Sequence, residues 1–238
     1  MLLSLPLIHL SCQKEGAGCF KGAGEVVIEE REGGDIRYIE IFDDPDVILN
    51  QKSADRRILV ETSENLLGGI ITDISGNALT IRNKNTCNWM RSFDIPIKVY
   101  VDVSSLDSIV YRGTGDVITS NRLVNDSIQV DIWEGSGTID LNVEVFKSRF
   151  YIHEGTADLY VSGSCWINFL SSKAYGPADL SQYTTQFTYM YSSSPNNCLV
   201  SSVQLLAVTL ENTGNVYYLG DPQIEAVING EGEVIRLE

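Results

Sequence analysis

Apolar and polar residues alternate strictly through the middle of the chain. Ile97, Val99, Val101 and Val103 alternate with Lys98, Tyr100 and Asp102. Ile128, Val130 and Ile132 do the same with Gln129, Asp131 and Trp133, and Ile139, Leu141, Val143 and Val145 with Asp140, Asn142 and Glu144. A period of two sends successive side chains to opposite faces, the mark of a strand with one face buried. No stretch carries apolar residues at helical spacing, and the buried positions favour β-branched side chains that fit a pleated surface. The pattern predicts an all-β chain.

Between these strands a phrase recurs. Gly113-Thr114-Gly115-Asp116-Val117-Ile118 returns as Gly135-Ser136-Gly137-Thr138-Ile139-Asp140-Leu141 and again as Gly155-Thr156-Ala157-Asp158-Leu159-Tyr160-Val161. Tyr175-Gly176-Pro177-Ala178-Asp179-Leu180 is a fainter copy, with echoes at Gly76-Asn77-Ala78-Leu79 and Gly214-Asn215-Val216-Tyr217. The clear copies lie 20 to 22 residues apart, a period that signals a solenoid. Short strands turning at glycines predict a parallel β-helix with one coil per repeat. From Glu25 onward about ten coils would give a rod of roughly 50 Å at ~4.8 Å per strand. A β-sandwich is the alternative, since it too has many short strands. It gives no reason for one phrase to recur in register. The recurring Asp116, Asp158 and Asp179 sit where a side chain can bond turn backbone.

The period is interrupted from Ser171 to about Cys198. There Tyr183, Thr185, Phe187, Tyr189 and Tyr191 alternate with Thr184, Gln186, Thr188 and Met190. In a continuous strand this places Tyr183, Phe187, Tyr189 and Tyr191 on one face, which either packs on the coils or binds a sugar or protein ligand.

The amino terminus reads MLLSLPLIHL, an apolar run too short to span a bilayer, followed by Ser11-Cys12. A short apolar segment before a small residue and a cysteine resembles the signal and lipidation site of a bacterial lipoprotein. No Lys or Arg precedes Cys12, and His9 stands where an aliphatic residue is usual. The resulting expectation is a signal peptide over 1–11, truncated at its start, a flexible tether over 12–24 carrying a lipid on Cys12, and a β-helix over 25–238. Cys19, Cys87, Cys165 and Cys198 then remain, an even number in an oxidising compartment. Sequence order suggests the pairs Cys19–Cys87 and Cys165–Cys198, with four buried thiols as the alternative.

Composition narrows the chemistry. Seventeen basic against 32 acidic side chains give a net charge of −15, which disfavours nucleic acid and anionic lipid surfaces. Only two histidines occur, and His153 alternates with Phe150 and Ile152 on the polar side of its strand. The Gly-x-Gly turns lead into strands and lack the third glycine of a dinucleotide loop. Asp43-Asp44-Pro45-Asp46 is the densest acidic cluster, an acidic turn or a cation site without the glycine and distant glutamate of a calcium-binding loop. No catalytic residues, cofactor or metal site are expected.

The Ser11-Cys12 site, Cys19-Phe20-Lys21, the Gly-Thr-Gly-Asp and Gly-Ser-Gly-Thr turns, and the closing Gly214-Asn215-Val216-Tyr217-Tyr218-Leu219-Gly220-Asp221-Pro222 together resemble one family. It is the auto-transporter adhesin, head GIN domain family, common among Bacteroidetes lipoproteins, and the resemblance runs from Val26 to the carboxyl terminus. It implies a right-handed β-helix on the cell envelope, lipid-anchored in the outer membrane, acting without catalysis as a binding or adhesion-type module. A glycan-binding or carbohydrate-active β-helix and an envelope signalling accessory protein are the alternatives.

Overall fold

A computed structural model describes residues 24–52, 56–86 and 95–238. The strands are β1 (Val26–Glu32), β2 (Tyr38–Asp43), β3 (Asp46–Gln51), β4 (Arg57–Ser63), β5 (Ile70–Ser75), β6 (Ala78–Asn83), β7 (Lys98–Val103), β8 (Ser108–Gly113) and β9 (Val117–Thr119). They continue as β10 (Leu123–Ile132), β11 (Thr138–Ile152), β12 (Asp158–Ser172), β13 (Ala178–Ser192), β14 (Cys198–Leu210), β15 (Val216–Leu219), β16 (Gln223–Ile228) and β17 (Val234–Arg236). One helical turn, α1 (Glu64–Leu67), interrupts them.

From β8 onward each strand pairs in parallel with its counterpart one coil later, so Ile139, Leu159 and Ala178 lie side by side, as do Phe150, Leu170 and Met190. Parallel pairing at this offset makes a β-solenoid of about six turns and excludes the antiparallel sandwich. Ten regular coils do not form, because residues before 108 are used differently. β5 and β6 make an antiparallel hairpin at Gly76, whose φ of 60° marks a tight turn rather than a coil corner. β1 lies antiparallel on β4, and β4 antiparallel on β7. The coil of β2 and β3 is inserted out of sequence order: β2 lies between β6 and β8, and β3 between β7 and β9.

Two walls meet at a corner inside the long strands. In β11 the buried residues are Ile139, Leu141, Val143 and Val145, then Ser148, Phe150 and Ile152. The phase of the alternation reverses at Phe146 and Lys147, where two neighbours in sequence both turn outward. Across coils the inward side chains stack into continuous rows, such as Ile39, Ile109, Val130, Phe150, Leu170, Met190 and Val208. Each fully buried aliphatic contributes ~1.5–3 kcal/mol, and the row form lets every coil complete the burial of its neighbour.

Glycines hold close approaches. The ring of buried Tyr111 fills the space beside Gly135, where a Cβ would stand 2.3 Å from a ring carbon. Its hydroxyl donates to Gly115 O at 2.6 Å and accepts from Gly137 N at 3.0 Å, tying two glycine turns together. Burial pushes the Tyr111 phenol up to about 12. The turn acids act between coils as well as within turns. Asp46 Oδ1 accepts from Asp116 N and Asp116 Oδ1 from Thr138 N, each at 2.9 Å. Asn197 and Asn215 repeat the device at the far end, accepting from Asn215 N and Glu233 N.

Candidate binding face

The second wall presents its outward side chains in columns fixed by strand register. One column runs Arg149, Phe169, Tyr189, Ala207, Glu225 from β11 to β16. The next runs Tyr151, Ser171, Tyr191, Thr209, Val227, and on the other side lie Lys147, Ile167, Phe187, Leu205, Gln223. The first two columns bound an open groove of about 590 Å³, lined by Tyr151, Phe169, Tyr189, Tyr191, Ala207 and Glu225 among others.

Its architecture follows from side-chain size. Phe169 and Tyr189 stack with centroids 5.3 Å apart and planes 16° off parallel. Lys147 Nζ covers Phe169 at 5.2 Å, and Lys173 Nζ covers Tyr191 at 5.8 Å. Beyond Tyr189 and Tyr191 the height drops to Ala207 and Thr209, so the rings form a step above a low floor. Tyr189 and Tyr191 remain 41% and 38% exposed. Such large apolar groups gathered in one area exceed the ordinary scatter of single exposed apolar side chains. Around the corner Phe146 and Trp166 are exposed as well and line a second groove of about 430 Å³.

The predicted aromatic face is therefore corrected in one member. Phe187, Tyr189 and Tyr191 share the outer face, but Tyr183 is fully buried, edge-on to Phe150 at 5.9 Å. The reason is the corner: the alternation that is continuous in sequence reverses in space around Gln186. Gly163, with φ of 109°, lies beside Tyr183 in the adjoining strand, and a Cβ there would stand 2.1 Å from Val143 O. The Tyr183 hydroxyl faces Ser148 and Cys165 without closing a hydrogen bond of ordinary geometry, and burial pushes its phenol far up.

His153 is not a simply solvated side chain. Its ring stacks on Trp133 at 3.7 Å, and Nε2 lies 2.9 Å from Asp131 Oδ1. Arg112 covers the same tryptophan at 5.3 Å, and Arg82 covers Phe42 at 3.7 Å, so cations and rings continue up the wall. The acidic cluster is occupied by the protein's own donors: Asp43 Oδ2 accepts from Asn83 N and Asp44 Oδ1 from Asn83 Nδ2. Among the described residues no group of three or more His, Cys, Asp or Glu could hold a metal.

The Cys165–Cys198 pair does not form; both are free, buried thiols. Cys165 lies on β12 and Cys198 on β14, with β13 between them. Two strand spacings are ~9.6 Å, beyond the ~7 Å between Cα atoms that a disulfide can bridge. Burial pushes the Cys198 thiol up to about 11. Cys12, Cys19 and Cys87 lie outside the described residues, as do the signal and most of the tether.

Arg149, Phe169, Ala207 and Glu225 were missed in the sequence because they are distant along the chain. A reading in columns would have found them, since Arg149, Phe169 and Tyr189 are spaced by 20 residues and Tyr189, Ala207 and Glu225 by 18.

The sequence model of the family described as "Putative auto-transporter adhesin, head GIN domain" matches residues 36–222. The chain belongs to this family. No curated protein sequence matches it. A "putative adhesin" of Bacteroides fragilis NCTC 9343 shares the head GIN chain's fold with a TM-score of 0.81 at 16% identity, over 90% of this chain and 97% of that one. A "putative adhesin" of Parabacteroides distasonis ATCC 8503 gives 0.77 at 15% identity, over 91% and 98%. A protein of the same organism named a "putative lipid binding protein" gives 0.69 at 18% identity, over 91% and 98%. At these identities the likeness establishes the solenoid fold. Among the described residues no helix is long and apolar enough to cross a membrane.

Proposed function

We propose that this head GIN protein is a non-enzymatic binding module of the cell envelope, anchored by a lipid on Cys12 after removal of residues 1–11. It engages its ligand through the outer face of β11 to β16. The observation that carries this reading is the aromatic step of half-buried Phe169 and exposed Tyr189 and Tyr191 above Ala207 and Thr209. A folded surface gains nothing in stability from leaving such rings open to water, whereas rigid aromatic rings supply much of the energy of binding interfaces. The adhesin names of the family and of its structural relatives agree with a binding role.

A partner, protein or glycan, would displace water from the step and meet the hydroxyls of Tyr189, Tyr191 and Thr209. The name of the lipid-binding relative raises an acyl ligand for the same apolar groove. The test is retention of fluorescent cells or envelopes on the immobilised protein. Tyr189→Ala/Tyr191→Ala should lower retention at least tenfold, with Tyr160→Ala on the other wall as control. Equal retention by both variants would refute the assignment of the face. A glycan array and a fatty-acid displacement assay on the same proteins sort the ligand class.

A further inference from the structure

The outer face carries charge in an order that its aromatic step does not require. In the column Arg149, Phe169, Tyr189, Ala207, Glu225, a cation lies two strands before Tyr189 and a carboxylate two strands after it. One residue beyond the buried row, Lys173, Ser193 and Glu211 follow the same rule: their amides bond Ile152 O, Ser172 O and Ser192 O in successive coils. Lys173 precedes Ser193 by one strand, and Glu211 follows by one. Both columns are thus antisymmetric in charge about β13.

Size is arranged about the same line. Bulky Phe169 precedes Tyr189 and small Ala207 follows it; Ile167 and Leu205 flank Phe187, and Ser171 and Thr209 flank Tyr191. A two-fold axis running parallel to the strands above β13 keeps each column in place and exchanges its two ends. It brings Arg149 over the partner's Glu225 and Lys173 over the partner's Glu211, each twice by symmetry. It sets Phe169 above the partner's Ala207, a ring over the low floor of the groove, and Tyr189 and Tyr191 against their own copies.

From this we infer that the face is an isologous interface and that the partner it fits is a second copy of this chain. The inference rests on the proposed binding role of the face and names its partner. A self-complementary patch is what a two-fold dimer demands, because every contact is made by both surfaces. Sheets packed face to face stand ~10 Å apart, within reach of arginine and glutamate side chains extended toward each other. Five strands by seven residues cover roughly 24 by 23 Å, or ~550 Å² a side and ~1,100 Å² in all, above the ~1,000 Å² a specific interface needs.

Two further observations support the assignment. Among the described residues Lys147, Arg149 and Lys173 form no ion pair with a carboxylate of their own chain, in a protein with almost twice as many acids as bases. Against these three cations the patch sets two carboxylates, Glu211 and Glu225, so the face escapes the acidity of the whole molecule.

Sedimentation velocity on the full chain carrying Cys12→Ser, which removes any lipid-driven association, tests the inference. Wild-type side chains on this background should dimerise at tens of micromolar. Arg149→Glu and Glu225→Arg should each weaken the dimer at least tenfold, because each sets like charges opposite each other twice. The double variant Arg149→Glu/Glu225→Arg should return to within threefold of the parent, since the exchanged charges meet again across the axis. Both positions are on the outer face, and circular dichroism checks that every variant folds. A parent that stays monomeric at 0.5 mM, or a double variant no better than the singles, overturns the dimer. If the dimer fails while Tyr189→Ala/Tyr191→Ala still abolishes cell retention, the face binds another partner; if neither effect appears, the binding role falls with it.

Discussion

Two tyrosines, both fully buried, differ in how their hydroxyls are used, and the same substitution should therefore act oppositely at the two sites. Tyr111→Phe removes a donor to Gly115 O at 2.6 Å and an acceptor for Gly137 N at 3.0 Å. Losing two hydrogen bonds at ~1 kcal/mol each, and leaving a buried carbonyl without its donor, should cost about 2–3 kcal/mol. Tyr183→Phe removes a hydroxyl with no well-formed partner, so stability should stay within ~0.5 kcal/mol or rise by ~1 kcal/mol. The ring is retained in both, which removes the cavity cost that alanine would add. Urea unfolding followed by far-UV circular dichroism reads the difference: at an m of ~2–3 kcal/mol/M the two midpoints should separate by about 1 M. Equal midpoints, or a larger loss at Tyr183, would refute the reasoning that Tyr111 clamps the glycine turns while Tyr183 only fills space.

The raised Tyr111 phenol adds a pH dependence: its contribution to stability is complete below the unfolded value near 10 and is lost as pH climbs through about 12. Phenolate absorbance from Tyr111 should accordingly appear only on unfolding, as the Tyr111→Phe difference titration checks. Gly163→Ala should destabilise by more than ~2 kcal/mol in the same urea assay, since φ of 109° and a contact of 2.1 Å to Val143 O both oppose a Cβ. Iodoacetamide followed by peptide mass spectrometry should leave Cys165 and Cys198 unmodified in the native protein and label both after unfolding; a Cys165–Cys198 cross-link in oxidised protein would contradict the strand order. Radiolabelled palmitate should reach the wild-type protein and not Cys12→Ser.

Much of the solenoid was legible in one dimension. The alternation of Ile139, Leu141, Val143 and Val145 gave the strands, and the Gly113, Gly135 and Gly155 phrases gave the coil length, because both depend on neighbours in sequence. What failed depends on neighbours in space. The corner at Gln186 turned Tyr183 inward although Tyr189 and Tyr191 face out, and no residue there announces the reversal. Gly76 repeats the coil phrase yet turns a hairpin, since the antiparallel end of the rod uses the same turn chemistry. Insertion of Tyr38–Gln51 between two later coils leaves no local trace, because an inward-facing row accepts any alternating strand. The groove was half visible: its rings lie in one segment, but its floor and charges come from columns read across coils.

The claim that most needs a direct measurement is that the outer face of β11 to β16 is where this molecule is bound. A photo-crosslinking phenylalanine analogue placed at Tyr189 or at Tyr160, on either side of the corner between the two walls, can be irradiated in intact cells. The account predicts covalent adducts from position 189, a doubled mass if the partner is a second copy, and none from position 160. Adducts from 160 alone, or from both positions equally, would contradict it.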